Sequence, residues 1–177
     1  GGSQTTVVID ADSSEADDFY NGMTIAIRKG TAGSLAGAVT TLEQTVWTLT
    51  ETAAAFKVGV GSFIKVNSEL VKVIAIDGDN ANNKQITVQR GMQGTTRAAH
   101  AVADVTYAFE FTSVSDYAGG TKTATIPTLP YAVAANDLYR FTGGGAAFAI
   151  GQPLDLTDFQ VSPKPYFGSN LVPTTYS

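Results

Sequence analysis

The chain holds one histidine, His100. It closes the stretch KQITVQRGMQGTTRAAH (residues 84–100), behind Arg90, Gly91, Gly94 and Thr95. A histidine among Arg, Gln and Thr is the raw material of general acid–base chemistry. Nucleophilic catalysis asks for more: a hydroxyl or thiol beside the base, and a carboxylate that orients it. The sequence has no G-x-S-x-G elbow, and its nearest Gly-Ser pair, Gly61-Ser62, opens a strand pattern instead. The architectural reading asks less of the residues. Gly91 and Gly94 permit a tight turn with positive φ. Arg90 can spread its planar fork on backbone carbonyls or on Glu69. His100 then anchors the loop that returns to the next strand. On this reading, substituting His100 lowers stability or assembly and abolishes no reaction.

A metal site is the second chemistry to weigh. DADSSEADD (residues 10–18) places Asp10, Asp12, Glu15, Asp17 and Asp18 within nine residues. Calcium takes several oxygen ligands of this kind. Asp77, Asp79, Asn80, Asn82 and Asn83 make a second oxygen-rich loop. Neither has the spacing of an EF-hand. Asp and Asn also favour turns on their own account, so solvated turns are expected. The expectation is no cofactor, with calcium at either loop as the alternative.

Aromatic residues are the third. Tyr20, Trp47, Tyr107, Phe109, Phe111, Tyr117, Tyr131 and Tyr139 have the chemistry of a glycan groove. Aromatics at alternate strand positions are more often core. Tyr131 and Tyr139 flank a loop and are the candidates for exposure.

The elements that must position these residues are strands. Period-2 patterns run over residues 5–10, 23–29, 62–66, 69–76, 84–90, 104–111, 121–126 and 137–141. The segment 45–50 reads as a strand inside an ambiguous stretch, 42–56. Ile86 and Val88 share one face. Val105, Tyr107, Phe109 and Phe111 share another. Turn signals about every ten residues predict an all-β sandwich or barrel. After Phe141 the texture changes: Gly143–Gly145, then four prolines with Tyr166, Phe167 and Tyr176. Such a segment is extended yet apolar, so an arm resting on its own domain or on a neighbouring subunit is expected.

Composition removes several classes. Net charge is -5, and no basic run exists, so a nucleic acid partner is not expected. Without cysteine there is no disulfide, thiolate metal site or cysteine nucleophile. No apolar run approaches the ~20 residues of a membrane helix, and no signal peptide pattern opens the chain. Gly1 at the first position suits a processed or trimmed chain, or a domain of something larger.

Two patterns remain, one nested in the other. SSEADDFYNGMTIAIRKGT (residues 13–31) carries D-x-Y-x-G, an apolar strand and a Gly-Thr turn. Far downstream, VSDYAGGTKTATIPTLPYAVAANDLYRF (residues 114–141) supplies a tyrosine turn, a Thr-Lys-x-Ala-Thr strand, a proline loop and a closing strand. Together they resemble a recurring element of tailed-bacteriophage virion proteins. Between them, residues 61–107 resemble a second phage structural module. That likeness is carried by Glu69, Arg90, Gly91, Gly94, Thr95 and His100, and it departs at Ala103-Asp104, where the module often has Gly.

The resemblance implies a small β element split by an inserted β subdomain. The expected parts are 1–33 and 113–142 for the split domain, 34–112 for the insertion and 143–177 for the arm. It implies a non-enzymatic virion component, foremost a capsid decoration or cement protein. Such a protein forms a symmetric oligomer and contacts other virion proteins such as the major capsid protein, with Tyr166, Phe167 and Tyr176 of the arm at subunit contacts. The alternative is a tail-fibre or baseplate module that binds a host-surface glycan. A polymer hydrolase would need clustered carboxylates in a groove, and only residues 10–18 cluster.

Overall fold

The computed structural model describes residues 1–77 and 83–144. Most of the second Asp/Asn loop and of the C-terminal arm, with Tyr166, Phe167 and Tyr176, lies outside the described residues. Ten strands and one short helix follow in order: β1 (Thr6–Val8), β2 (Met23–Ser34), β3 (Val46–Thr48), α1 (Ala53–Phe56), β4 (Phe63–Val66), β5 (Glu69–Ile76), β6 (Gln85–Gln89), β7 (Val105–Ser113), β8 (Asp116–Ala118), β9 (Thr123–Thr125) and β10 (Leu138–Gly144). The fold is all-β. No helix among the described residues is long and apolar enough to cross a membrane.

The chain forms two compact units, and β2 and β7 each run from one into the other. The junctions fall at Ile27/Arg28 and Glu110/Phe111, inside those strands. The boundaries expected from turn residues, 33/34 and 112/113, lie a few residues from these junctions, because the strands continue through them.

In the first unit β9 pairs with β1 and β8, with Val7 and Tyr117 both in register with Ala124. Gly1 and Gly2 fold back along β1: Val8 N–H donates to Gly1 O at 2.7 Å. The core gathers Val7, Ile9, Tyr20, Ile25, Ile27, Tyr117 and Phe141. Tyr20 stacks on Phe141 with ring centroids 4.4 Å apart, and meets Tyr117 edge-on at 4.7 Å. β8 is a strand where the sequence suggested only a tyrosine turn. Its ladder with β9 needs just three residues, too few to show a period.

The second unit is a closed barrel. Its order is β2-β7-β4-β5-β6-β3, and β3 then bonds back to the end of β2. Ala36 N–H donates to Thr48 O at 2.8 Å, Thr50 N–H donates to Ser34 O at 2.9 Å, and Leu35 bridges Leu49. Closure is why β2 runs on past Gly30, where the sequence pattern seemed to end. A bulge between Val73 and Ala75 bends β5 and turns Ile74 outward.

The barrel core holds Leu35, Trp47, Leu49, Phe56, Ile64, Val66, Val71, Val73, Ile86 and Val88. Ile86 and Val88 sit inside, as their alternation predicts. For β7 the inward face is Thr106, Ala108 and Glu110, in line with Val66 and Ile64 of β4. The row Val105, Tyr107, Phe109 and Phe111 lies on the opposite face, and Val105 is half exposed. Phe109 on that face is fully buried as well, whereas Tyr107 and Phe111 are only half-buried. Helix α1 is one turn, N-capped by Thr52, whose hydroxyl accepts Ala55 N–H at 3.1 Å. It delivers Phe56 to the core.

Candidate functional site

Glu69 opens β5 and Arg90 follows β6, so both stand at one end of adjacent strands. Arg90 Nε donates to Glu69 Oε1 at 2.9 Å and Nη2 donates to Oε2 at 2.6 Å. Such a bidentate fork fixes both planes. Arg90 Nη1 also donates to Thr41 O at 2.7 Å, and Nη2 to Ala98 O. Below the guanidinium lies Trp47, with 5.2 Å from Cζ to the ring.

The carboxylate is saturated. Glu69 Oε1 also accepts Gly91 N–H at 3.2 Å. Oε2 accepts Ala98 N–H at 3.0 Å and faces His100 Nε2 at 2.9 Å. All three side chains are almost fully buried, at 1% exposure for Arg90 and 0% for Glu69 and His100. Burial pushes the Glu69 carboxyl up, but hydrogen bonds from Arg90, Ala98 and His100, with the Arg90 charge, outweigh it and hold it below the usual range. A carboxylate so held makes a poor proton acceptor.

The turn between Arg90 and His100 follows its glycines. Gly91 adopts φ 66°, and a Cβ there would meet Thr95 O at 3.1 Å. Gly94 is at φ 78°. Gln93 also takes a positive φ, at 52°. Thr95 pins the turn: its hydroxyl accepts Leu70 N–H at 3.0 Å and donates to Met92 O at 2.8 Å. His100 pairs through its backbone with Val39, at 2.9 Å in both directions. With Nε2 donating to Glu69, Nδ1 accepts from Asn67 Nδ2 at 3.4 Å. Asn67 in turn donates to Asp104 Oδ2 at 2.8 Å.

No protein-family model, curated protein or solved structure matches this chain. The cluster at the start of β5 and the end of β6 stands on its geometry. It brings together all six residues that the turn pattern singled out: Glu69, Arg90, Gly91, Gly94, Thr95 and His100. It adds Trp47, Thr41, Asn67 and Asp104, which no local pattern pointed to. Trp47 is 1% exposed and packs edge-on against His100 at 5.5 Å. That packing leaves the imidazole fully buried. What the arrangement does chemically is tie the starts of β5 and the ends of β6 to two loops.

The acidic loop resolves differently. Its carboxylates do not converge. Asp10 Oδ1 accepts Asp12 N–H at 3.1 Å, Asp17 accepts Gly119 N–H at 2.8 Å, and Asp18 accepts from Asn21 Nδ2 at 2.7 Å. The cation within the loop is an ammonium. Lys122 Nζ donates to Ser13 O at 2.9 Å and Ser14 O at 3.1 Å, and lies 2.5 Å from Glu15 Oε1. Among the described residues no group of three or more metal-type ligands forms. In this loop Asp10, Asp12, Glu15, Asp17 and Asp18 stand around a turn occupied by the Lys122 ammonium.

Three tyrosines hold the same loop from the core side. Tyr139 OH accepts Asp10 N–H at 2.6 Å, Tyr20 OH accepts Ser14 N–H at 3.3 Å, and Tyr117 OH donates to Ser14 O at 2.7 Å. Burial, against the hydrogen bond from Asp10 N–H, pushes the Tyr139 phenol up to about 12. Tyr139 is buried rather than exposed, and so are Tyr20, Trp47, Phe109 and Tyr117. A glycan groove loses those aromatics, and Tyr131 is left half-buried.

Proposed function

We propose that this chain is a non-enzymatic structural component of a tailed-phage virion, foremost a decoration or cement protein on the capsid. Two resemblances support the reading: the split element at residues 13–31 and 114–141, and the module at 61–107 inserted in it. The observation that carries the non-enzymatic part is the saturated Glu69 carboxylate, with five donors on its two oxygens. Every group that looked catalytic in the sequence is spent on holding loops. A closed barrel with buried ion pairs suits a protein whose work is to persist rather than to turn over.

In the proposed mechanism the protein self-associates as a symmetric oligomer and contacts the major capsid protein. Burial of apolar area at those contacts locks neighbouring shell subunits. The arm at residues 143–177 is assigned to these contacts.

Purified protein is added to tailed-phage heads that lack their accessory proteins. It should co-sediment with them and raise the temperature at which they rupture. Binding to host cells with none to heads would favour the tail-fibre or baseplate reading instead. Release of soluble sugar or peptide from host polymer would end the non-enzymatic reading.

A further inference from the structure

Besides Thr106, three more polar side chains are buried in the second unit, and the clamp uses none of them. Lys29 of β2 is 1% exposed, Glu110 of β7 is 5% exposed, and Ser62 before β4 is 0% exposed. β2 and β7 are hydrogen-bonded neighbours. Arg28 lies over the ring of Tyr107, 4.9 Å from its centroid. Side chains alternate along a strand, so Lys29 faces the opposite way, with Thr106, Ala108 and Glu110. Gly33 agrees, because a Cβ there would meet Thr106 Oγ1 at 2.9 Å. Same-face neighbours on paired strands lie roughly 5–8 Å apart at Cβ, within reach of a lysine.

Ser62 completes the group. Its hydroxyl donates to Glu110 Oε1 and accepts Gly59 N–H at 2.9 Å. Burial lifts the Glu110 carboxyl above the usual range, against the Ser62 hydrogen bond and the Lys29 charge. A protonated carboxyl is an electrophile, and a desolvated amine is a nucleophile.

We propose that Lys29 and Glu110 condense to an intramolecular amide that joins β2 to β7. The Lys29 ammonium passes a proton to the Glu110 carboxylate, and the amine so formed adds to Cδ of the resulting carboxyl. As the N–C bond forms, the carbonyl electron pair moves onto Oε1, where the Ser62 hydroxyl steadies it. The intermediate then collapses and the bond from Cδ to Oε2 breaks. Oε2 leaves as water, carrying its own hydrogen and one from the attacking nitrogen. One water is released, and no oxidant, reductant or cofactor enters. Fixed placement in a dry interior supplies the effective concentration that the free groups lack. The proposal stands independently of the virion reading.

The test is the intact mass of the purified, denatured chain. It should be one water lighter than the sequence requires. Digestion should give a branched peptide joining the segments that hold Lys29 and Glu110. Lys29→Arg should show its full sequence mass, which separates the amide from dehydration at Asp77-Gly78. Ser62→Ala should form the link about a hundredfold more slowly. A wild-type chain that keeps its full mass after prolonged incubation overturns the proposal. So does a water loss that survives in Lys29→Arg, or a branched peptide that maps elsewhere.

Discussion

Arg90 places Nε and Nη2 at 2.9 and 2.6 Å from the two oxygens of Glu69, and the pair is sealed from solvent. Removing one partner of such a pair strands the other charge in the interior. Arg90→Met should therefore destabilise the fold by about 3–5 kcal/mol. Arg90→Lys keeps the charge and loses the fork, so it should fall between wild type and Arg90→Met. Urea unfolding of the three proteins measures the order.

His100 contributes one bond to the same carboxylate and packs on Trp47. His100→Ala should cost about 1.5–3 kcal/mol, the worth of a hydrogen bond to a charged group. The loss should show as a lower thermal midpoint.

The pH dependence follows from Glu69. Its folded carboxyl lies below the unfolded value of 4.5. The stability it contributes is therefore complete above that unfolded value and is lost as pH falls through the lower folded one. Acid titration of wild type should show this loss below about pH 4.5, and Glu69→Gln should show a shallower acid limb. An unchanged limb in Glu69→Gln would assign acid sensitivity elsewhere.

Much of the clamp was legible because its members carry unusual chemistry. Glu69, Arg90 and His100 are charged or titratable residues in apolar surroundings, and Gly91 and Gly94 mark positive φ. Trp47 and Thr41 were hidden, because their contacts follow from barrel closure across more than forty residues of chain. The strands themselves were readable from alternation. What alternation could not assign was the barrel-facing side of β7, where Thr106, Ala108 and Glu110 line up with β4 while Val105, Tyr107 and Phe111 stay partly exposed and Phe109 is buried on the other side. Size and hydrophobicity pointed one way, and the register with β4 decided the other. The acidic loop misled for a similar reason. Lys122, the cation that fills it, is more than a hundred residues away in sequence.

Tyr139 governs the alkaline side. Its phenol is raised to about 12, so the stability it gives is present below the ordinary value near 10 and is lost as pH climbs through the raised one. Tyr139→Phe removes the group that titrates. It should flatten the decline in stability between about pH 10 and 12, followed by circular dichroism.

Lys122 holds the carbonyls of Ser13 and Ser14. Lys122→Met leaves both without that donor. Amide exchange across residues 10–18 should accelerate, with about 1–2 kcal/mol lost overall. Millimolar calcium should leave the wild-type thermal midpoint where it is. A clear rise would return the carboxylates to the role of ligands.

The claim that Arg90, Glu69 and His100 form a clamp and not an active site is tested most directly by a double-mutant cycle. Arg90→Met, Glu69→Met and the double variant are unfolded in urea beside wild type. The account predicts about 3–5 kcal/mol for each single change. It predicts a double variant that costs less than their sum by about 2–3 kcal/mol, because the second change removes the charge the first one stranded. Costs that simply add, to within about 0.5 kcal/mol, would contradict it.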